Sequence, residues 1–164
     1  MLRISRMSIA IAVLSVALVA GGVVWVGTTR AGGTVSQLST QTVTVVIRAP
    51  KPTWTDTGVA LQAHQTLRIT ATGTVSNGLF LISPRGRPVA NWDCTHFNGY
   101  RFIGPELRCW SLIGKIGNGN PFQVGTLLNV GDSAPGELFL MMNDGEGTFS
   151  DNMGRWTVAI TTPS

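Results

Sequence analysis

The sequence predicts an all-β domain, a small antiparallel β-sandwich, behind one apolar N-terminal segment. Short stretches with strand character recur along residues 42–161, and turn signals such as Asn77-Gly78 and Pro135-Gly136 separate them. No segment after residue 30 has a sustained helical periodicity. About 120 residues follow the N-terminal part, which is enough for one domain with a core and too few for two.

The first element is the apolar segment at residues 7–26, which contains no charged side chain. At about 1.5 Å per residue, a helix of this length spans roughly 30 Å, the thickness of the hydrocarbon core of a bilayer. We therefore expect residues 1–30 to form a signal anchor with one transmembrane helix. Arg3 and Arg6 precede it, which puts the N-terminus in the cytoplasm and the rest of the chain outside. Small residues near its end leave cleavage and secretion open as an alternative.

Residues 31–41 are rich in Gly, Ser, Thr and Gln, so we expect a short linker there and a single domain at 42–164. The chain has 12 basic and 8 acidic residues, but three of the arginines flank the anchor, so the outer domain is nearly neutral. The high isoelectric point therefore does not indicate nucleic-acid binding. Arg85 and Arg87 are expected to be solvated charges in a turn.

Eight segments of the outer domain alternate apolar and polar residues, or are apolar runs between turns, as strands do. They are residues 42–47, 59–62, 66–71, 79–82, 112–116, 122–125, 137–142 and 156–161. The same alternation predicts which side chains fill the core. These are Leu61, Leu67, Ile69, Leu81, Leu112, Ile116, Leu138, Leu140, Trp156 and Val158.

The loop at residues 143–154 gathers three of the eight acidic residues between two predicted strands. Calcium takes six to eight oxygen ligands from carboxylates, amides and carbonyls, and Asp144, Asp151 and Asn152 with their neighbours offer all three kinds. No soft ligand is present in the loop, which argues against zinc. The EF-hand pattern does not fit, because its required Gly and final Glu are missing. On composition alone, an ordinary solvated hairpin loop remains the alternative.

Four motifs in order resemble the PA-IL (LecA)-like family of bacterial calcium-dependent galactose-binding lectins. The loop itself resembles that family's order Asn-Asp-x-x-Gly-Thr-aromatic-x-[Asp/Asn]-Asn-x-Gly, with Asp151 where the family has Asn. Leu-Arg-Ile-Thr-Ala-Thr-Gly at 67–73, Ser-Pro-Arg-Gly at 83–86 and Lys-Ile-Gly-Asn at 115–118 resemble its upstream strands and turns. The resemblance as a whole covers about residues 53–161. The resemblance narrows the expected fold to a jelly-roll-like, galactose-binding-domain-like β-sandwich.

The resemblance also implies a cofactor, Ca²⁺, and a partner, a galactose-like sugar or glycan. It implies side-chain ligands from Asp144, Asp151 and Asn152 and carbonyl ligands from Asn77 and Thr148, with two adjacent sugar hydroxyls completing the shell. The implied sugar contacts are Asp144, Gly145, Thr148, Asp151 and His96.

Cys94 and Cys109 are the only cysteines, and in an exported domain we expect a disulfide between them. Two thiols without further ligands cannot complete a zinc shell. Relative to the family, residues 95–108 are an insertion, and this region is rich in aromatic residues. Two interpretations stay open: one or more of these rings stack on the apolar face of a sugar, or they cap the end of the sandwich.

Neither His64 nor His96 is accompanied by a nucleophile motif or by paired carboxylates, so we do not expect an enzyme. The expected function is calcium-dependent binding of a galactoside-type carbohydrate by an exported, membrane-anchored β-sandwich, with a homo-oligomer left open. The alternative is a non-catalytic, calcium-stabilised sandwich that encloses its ion and mediates protein contacts at the cell surface.

Overall fold

The computed structural model describes residues 39–87, 94 and 101–163. Within these ranges the chain forms nine strands, and a short 3-10 turn lies at Phe149–Asp151. The strands are β1 (Thr40–Arg48), β2 (Thr55–Leu61), β3 (Leu67–Ser76), β4 (Leu81–Ile82), β5 (Leu112–Ile116), β6 (Phe122–Gln123), β7 (Leu127–Val130), β8 (Gly136–Met142) and β9 (Met153–Pro163).

The strands form two antiparallel sheets that enclose one hydrophobic core. One sheet has the order β1-β9-β3-β4, with β7 also paired to β3, and the other has the order β2-β8-β5-β6. Side chains from both sheets belong to the same buried cluster, with Ile69, Leu138 and Trp156 fully inaccessible to solvent. The prediction of an all-β, sandwich-like fold is confirmed.

The predicted membrane anchor lies outside the described residues, as does the linker up to residue 38. Among the residues that are described, no helix is long and apolar enough to cross a bilayer. The first strand begins at Thr40, inside the stretch that was expected to be linker.

The ladder between β3 and β9 and the ladder between β1 and β9 are the two longest around the core. The ladder between β3 and β9 runs over nine residue pairs, from Arg68 opposite Thr161 to Ser76 opposite Met153. β3 continues past its predicted end because Gly73 has a φ of +104° and lies opposite Trp156. A Cβ atom at Gly73 would lie 3.0 Å from the Arg155 carbonyl oxygen, so only glycine lets the two backbones approach this closely.

Most of the predicted core side chains are buried, but Leu81 is 80% exposed and its neighbour Ile82 is 1% exposed. The prediction for Leu81 was wrong because β4 is a two-residue edge strand whose phase is set by its pairing with β3. Ile82 lies opposite the buried Val75 and so faces the core, which turns Leu81 outward. Ile116 is half-buried, and the sequence pattern did not predict β7.

Replacement of Leu138 by Ala should lower the free energy of unfolding by about 2–5 kcal/mol, because it leaves a cavity at a site with no solvent exposure. The matched control is Leu81→Ala, which should change stability by less than about 0.5 kcal/mol because that side chain already faces solvent. Urea unfolding of the two variants measures both values. A loss of similar size in both variants would contradict the observed phase of β4.

Candidate functional site

Two turns that are far apart in the sequence meet at one end of the sandwich. β3 ends at Ser76 opposite Met153, the first residue of β9, so the antiparallel register brings Asn77 across from Asn152. A Cβ atom at Gly78 would lie 3.2 Å from Oδ2 of Asp151. The turn after β3 and the acidic loop before β9 are therefore in contact.

The second sheet ends at the same place and contributes Asp144. Asp144 is only 3% exposed, and its carboxylate accepts hydrogen bonds from three directions. Oδ1 accepts from Trp110 Nε1 at 3.0 Å and from the Gly145 backbone N–H at 2.8 Å. Oδ2 accepts from Asn152 Nδ2 at 2.7 Å. These donors fix the carboxylate in one orientation.

The amide of Asn152 is buried and only half satisfied. Its Nδ2 donates to Asp144 and, at 3.3 Å, to the carbonyl oxygen of Ala49. Its Oδ1 is buried and has no hydrogen-bond partner within the described part of the chain. A buried acceptor without a partner costs about 1–3 kcal/mol. An unpartnered oxygen beside a buried carboxylate is the donor chemistry that a hard cation such as calcium requires.

The remaining oxygen donors suit the same type of ion. Oδ1 of Asn77 accepts the N–H groups of Leu79 at 3.2 Å and Phe80 at 2.9 Å, so its side chain holds the turn and its backbone carbonyl is the group left to contribute. Thr148 precedes the 3-10 turn, and its hydroxyl donates to the Gly145 carbonyl at 2.9 Å.

The described residues contain no group of three or more His, Cys, Asp or Glu side chains that could hold a metal. The oxygens gathered here come instead from two carboxylates, one amide and backbone carbonyls. That mixture matches the oxygen ligands that calcium takes in proteins.

Asn143 attaches the acidic loop to the inserted segment and is completely buried. Its Oδ1 accepts the Gly104 N–H at 2.9 Å, and its Nδ2 donates to the carbonyl oxygens of Gly104 at 2.9 Å and Arg108 at 3.0 Å. The Ile103 N–H also donates to the carbonyl of Asp144 at 3.2 Å. The sequence contained no signal for this role, because a buried structural asparagine and a turn asparagine look alike in a loop motif.

Trp110 is held in a strained conformation next to Asp144. Its φ is +55°, which is rare for a bulky residue and costs of order 1–3 kcal/mol. The ring packs edge-to-face against Phe102, with 5.7 Å between the ring centroids and 76° between the planes. The backbone N–H of Trp110 donates to the Asn143 carbonyl at 2.7 Å, so the strain is offset by contacts to the acidic loop.

These residues line a surface cavity of about 330 Å³. The lining residues that carry oxygen donors are Asn77, Asp144, Thr148 and Asp151. The other lining residues are apolar or aromatic except for one guanidinium, and they are Leu79, Phe80, Arg87, Phe102 and Trp110.

The structure therefore brings four of the five predicted metal ligands to one cavity, with the fifth, Asn152, bonded to Asp144. Gly145, a predicted sugar contact, is buried, and its N–H supports the Asp144 carboxylate. His96 is the one predicted sugar contact outside this loop, and it lies beyond the described residues. Phe102 and Trp110 are aromatic residues of the inserted region or directly after it, and both reach the cavity.

Arg87 was expected to be solvated, and that expectation was wrong. It is half-buried in the cavity wall, with its guanidinium carbon 4.9 Å from the centroid of Phe80 and 6.0 Å from that of Trp110. Gly86 explains the direction of the chain, because its φ is +85° and a Cβ there would lie 2.6 Å from the Cys109 carbonyl oxygen. This close contact, invisible in the sequence, turns Arg87 inward.

Cys94 and Cys109 lie in one small buried cluster with Phe102, against which Trp110 packs. The disulfide between them stays a prediction.

Comparison with known proteins agrees with this architecture. The family model described as PA-IL-like protein matches residues 45–164. Among solved structures, the chain is similar to the N-terminal domain of EclA, a PllA-like lectin, with 29% identity and a TM-score of 0.57. The similarity covers 73% of this chain and 95% of that one. No curated protein matches the chain. Since the family model covers well over half of its length, the chain belongs to the PA-IL-like family.

Proposed function

We propose that this protein binds a galactoside-type carbohydrate in a calcium-dependent manner and performs no chemistry on it. The observation that carries the proposal is the unpartnered Oδ1 of Asn152, whose amide is bonded to the buried carboxylate of Asp144, a residue that lines a cavity open to solvent. Family membership and the lectin neighbour support carbohydrate binding in general. The donor set, all oxygen, supports calcium.

The chain offers a set of oxygen ligands for the ion. Side-chain oxygens of Asp144, Asp151 and Asn152 and the carbonyls of Asn77 and Thr148 would hold the ion. Calcium takes six to eight oxygens, so positions remain for two adjacent hydroxyls of a sugar. When bound, the ion would supply direct coordination to that hydroxyl pair.

The protein groups around the ion complete the recognition. Carboxylates accept hydrogen bonds only, so Asp144 and Asp151 would each accept a hydrogen bond from a coordinated hydroxyl. The rings of Phe102 and Trp110 offer apolar surface against which the C–H face of a sugar would pack.

We further propose that the domain works outside the cytoplasm, anchored by residues 1–30 or secreted after cleavage. An oxidising compartment would allow the bond between Cys94 and Cys109. Many anchored copies on one membrane, or a homo-oligomer, would add avidity to a weak single site.

A second candidate function, protein contact, is favoured by exposed apolar side chains beside the cavity. Leu79 is 82% exposed, and Leu81 and Met153, which both pair with Ser76, are 80% and 64% exposed. Exposed apolar patches often mark interaction surfaces. Here the cavity would still hold calcium, but the ion would stabilise the fold and bind no sugar.

The first prediction concerns the ion. Calcium at about 100 times its dissociation constant should stabilise the protein by about 2.7 kcal/mol relative to chelator. Asp144→Asn should abolish this gain, because it removes a carboxylate ligand. The control is Asp132→Asn, an exposed carboxylate near the opposite end of β3, which should keep the gain. Differential scanning calorimetry measures the shift, and an unchanged melting temperature in the unmodified protein would rule out the ion site.

The second prediction concerns Trp110. Trp110→Phe keeps an aromatic ring and the same backbone conformation but removes the Nε1 hydrogen bond to Asp144. Stability in chelator should fall by about 1.5–3 kcal/mol, the usual worth of a hydrogen bond to a charged group, and calcium affinity should fall with it. Trp54→Phe is the control, since the Trp54 ring contacts the Lys115 ammonium at 5.0 Å rather than the site. Urea unfolding measures the stability of each variant, and calcium titration measures its affinity for the ion. Equal losses of stability and affinity in the two variants would refute the positioning role of Trp110.

The third prediction concerns the sugar. A glycan array probed with the full chain should bind galactose-terminated glycans in calcium and lose them in chelator. The Asp144→Ala variant should no longer bind these glycans, and its circular dichroism spectrum should show that it remains folded. Binding that survives this substitution would disprove recognition through the ion. A protein that calcium stabilises but that binds no glycan would favour the second candidate function.

A further inference from the structure

Arg87 is the only cationic side chain among the described residues that line the cavity, and it is held in place there. Its guanidinium contacts the face of Phe80 and lies near Trp110, as cation–π pairs do. Its backbone N–H donates to the Cys109 carbonyl at 3.3 Å, directly after the tightly packed Gly86. A guanidinium carries five donors in a planar fork that matches the two oxygens of a carboxylate.

Trp110 lies close both to Arg87 and to one of the oxygen donors of the cavity. Its indole ring centre lies 6.0 Å from the Arg87 guanidinium carbon, and its Nε1 donates to Asp144 at 3.0 Å. The guanidinium and the carboxylate thus both border the indole ring of Trp110 and line the same cavity of about 330 Å³. We expect a single sugar residue in this cavity to contact both groups.

The charges on the cavity wall favour an anionic ligand once the ion is present. The charged residues among those lining it are Arg87, Asp144 and Asp151, which together carry one net negative charge. A bound divalent cation changes that balance to one net positive charge. A monoanionic sugar would neutralise it, whereas the ion-free cavity would repel the same sugar.

We propose that the preferred ligand is an acidic saccharide, a hexuronic acid residue whose carboxylate pairs with Arg87 while its adjacent hydroxyls face Asp144 and Asp151. This inference rests on the proposed function and names its substrate class. A neutral hexose presents a hydroxymethyl group in place of the carboxylate and forms no ion pair with the guanidinium.

The test measures affinities of matched sugar pairs by isothermal titration calorimetry, using the full chain in calcium. The pairs are the methyl glycosides of galactose and galacturonic acid, glucose and glucuronic acid, and mannose and mannuronic acid. In at least one pair the uronic acid should bind about 10- to 100-fold more tightly than its neutral partner, the range expected for hydrogen bonds to a charged group. Chelator should abolish binding of the uronic acid.

The variants assign this preference to one side chain. Arg87→Gln should reduce the ratio of acid to neutral affinity to about one or below, while the calcium-induced rise in melting temperature is kept. Arg87→Lys should retain part of the ratio, because an ammonium keeps the charge but loses the planar fork. The matched control is Arg85→Gln, which removes the same charge from an exposed position two residues earlier and should leave the ratio unchanged.

Each result decides a separate claim. Equal affinities for both members of every pair, or an acid preference that survives Arg87→Gln, would overturn the acidic-sugar inference and leave the proposed lectin function standing. No binding of any neutral or acidic sugar in calcium would overturn both.

Discussion

The register between β3 and β9 is the constraint on which the site depends. Both strands are central in their sheet, and nine consecutive pairs fix them against each other. This ladder sets Asn77 across from Asn152 and brings the turn after β3 against the acidic loop. A slip of one residue would turn the whole core face of a strand outward, so burial of side chains such as Trp156 and Ile69 protects the site geometry as well as the fold. Backbone pairing therefore brings together the two turns that carry the oxygen donors.

The buried carboxylate of Asp144 is supported by groups from three different segments. Trp110 approaches it from the end of the insertion, Gly145 from its own loop and Asn152 from the start of β9. Asn143 ties the insertion to the same loop through its buried amide. The strained backbone of Trp110 and the unpartnered oxygen of Asn152 both oppose folding, and both residues are bonded to the Asp144 carboxylate. Strain beside a buried carboxylate is typical of a preorganised binding site.

The sequence predicted what local patterns determine and missed what tertiary packing determines. Alternation of apolar and polar residues predicted most strands, and the order of acidic residues and glycines predicted the loop. Both signals lie in residues that are close in sequence. The sequence pattern gave the wrong direction for the Leu81 side chain, which follows from the pairing of β4 with β3. It also missed β7, a short edge strand with little alternation. It failed again at Arg87, because two arginines in a turn look equally solvated until Gly86 is seen packed against Cys109. The Asn77-Gly78 turn was signalled by the sequence itself, whereas its contact with the acidic loop follows from the pairing of β3 with β9. The ligand role expected of Asn77 came only from family resemblance and stays a prediction.

The most direct measurement is a crystal structure of the protein grown with calcium and a bound monosaccharide, with anomalous scattering used to locate the ion. The account predicts one calcium within about 2.3–2.6 Å of an Asp144 carboxylate oxygen, of Asn152 Oδ1 and of two adjacent sugar hydroxyls. A sugar bound away from the cavity, or an ion fully enclosed by protein and water with no hydroxyl in its shell, would contradict it.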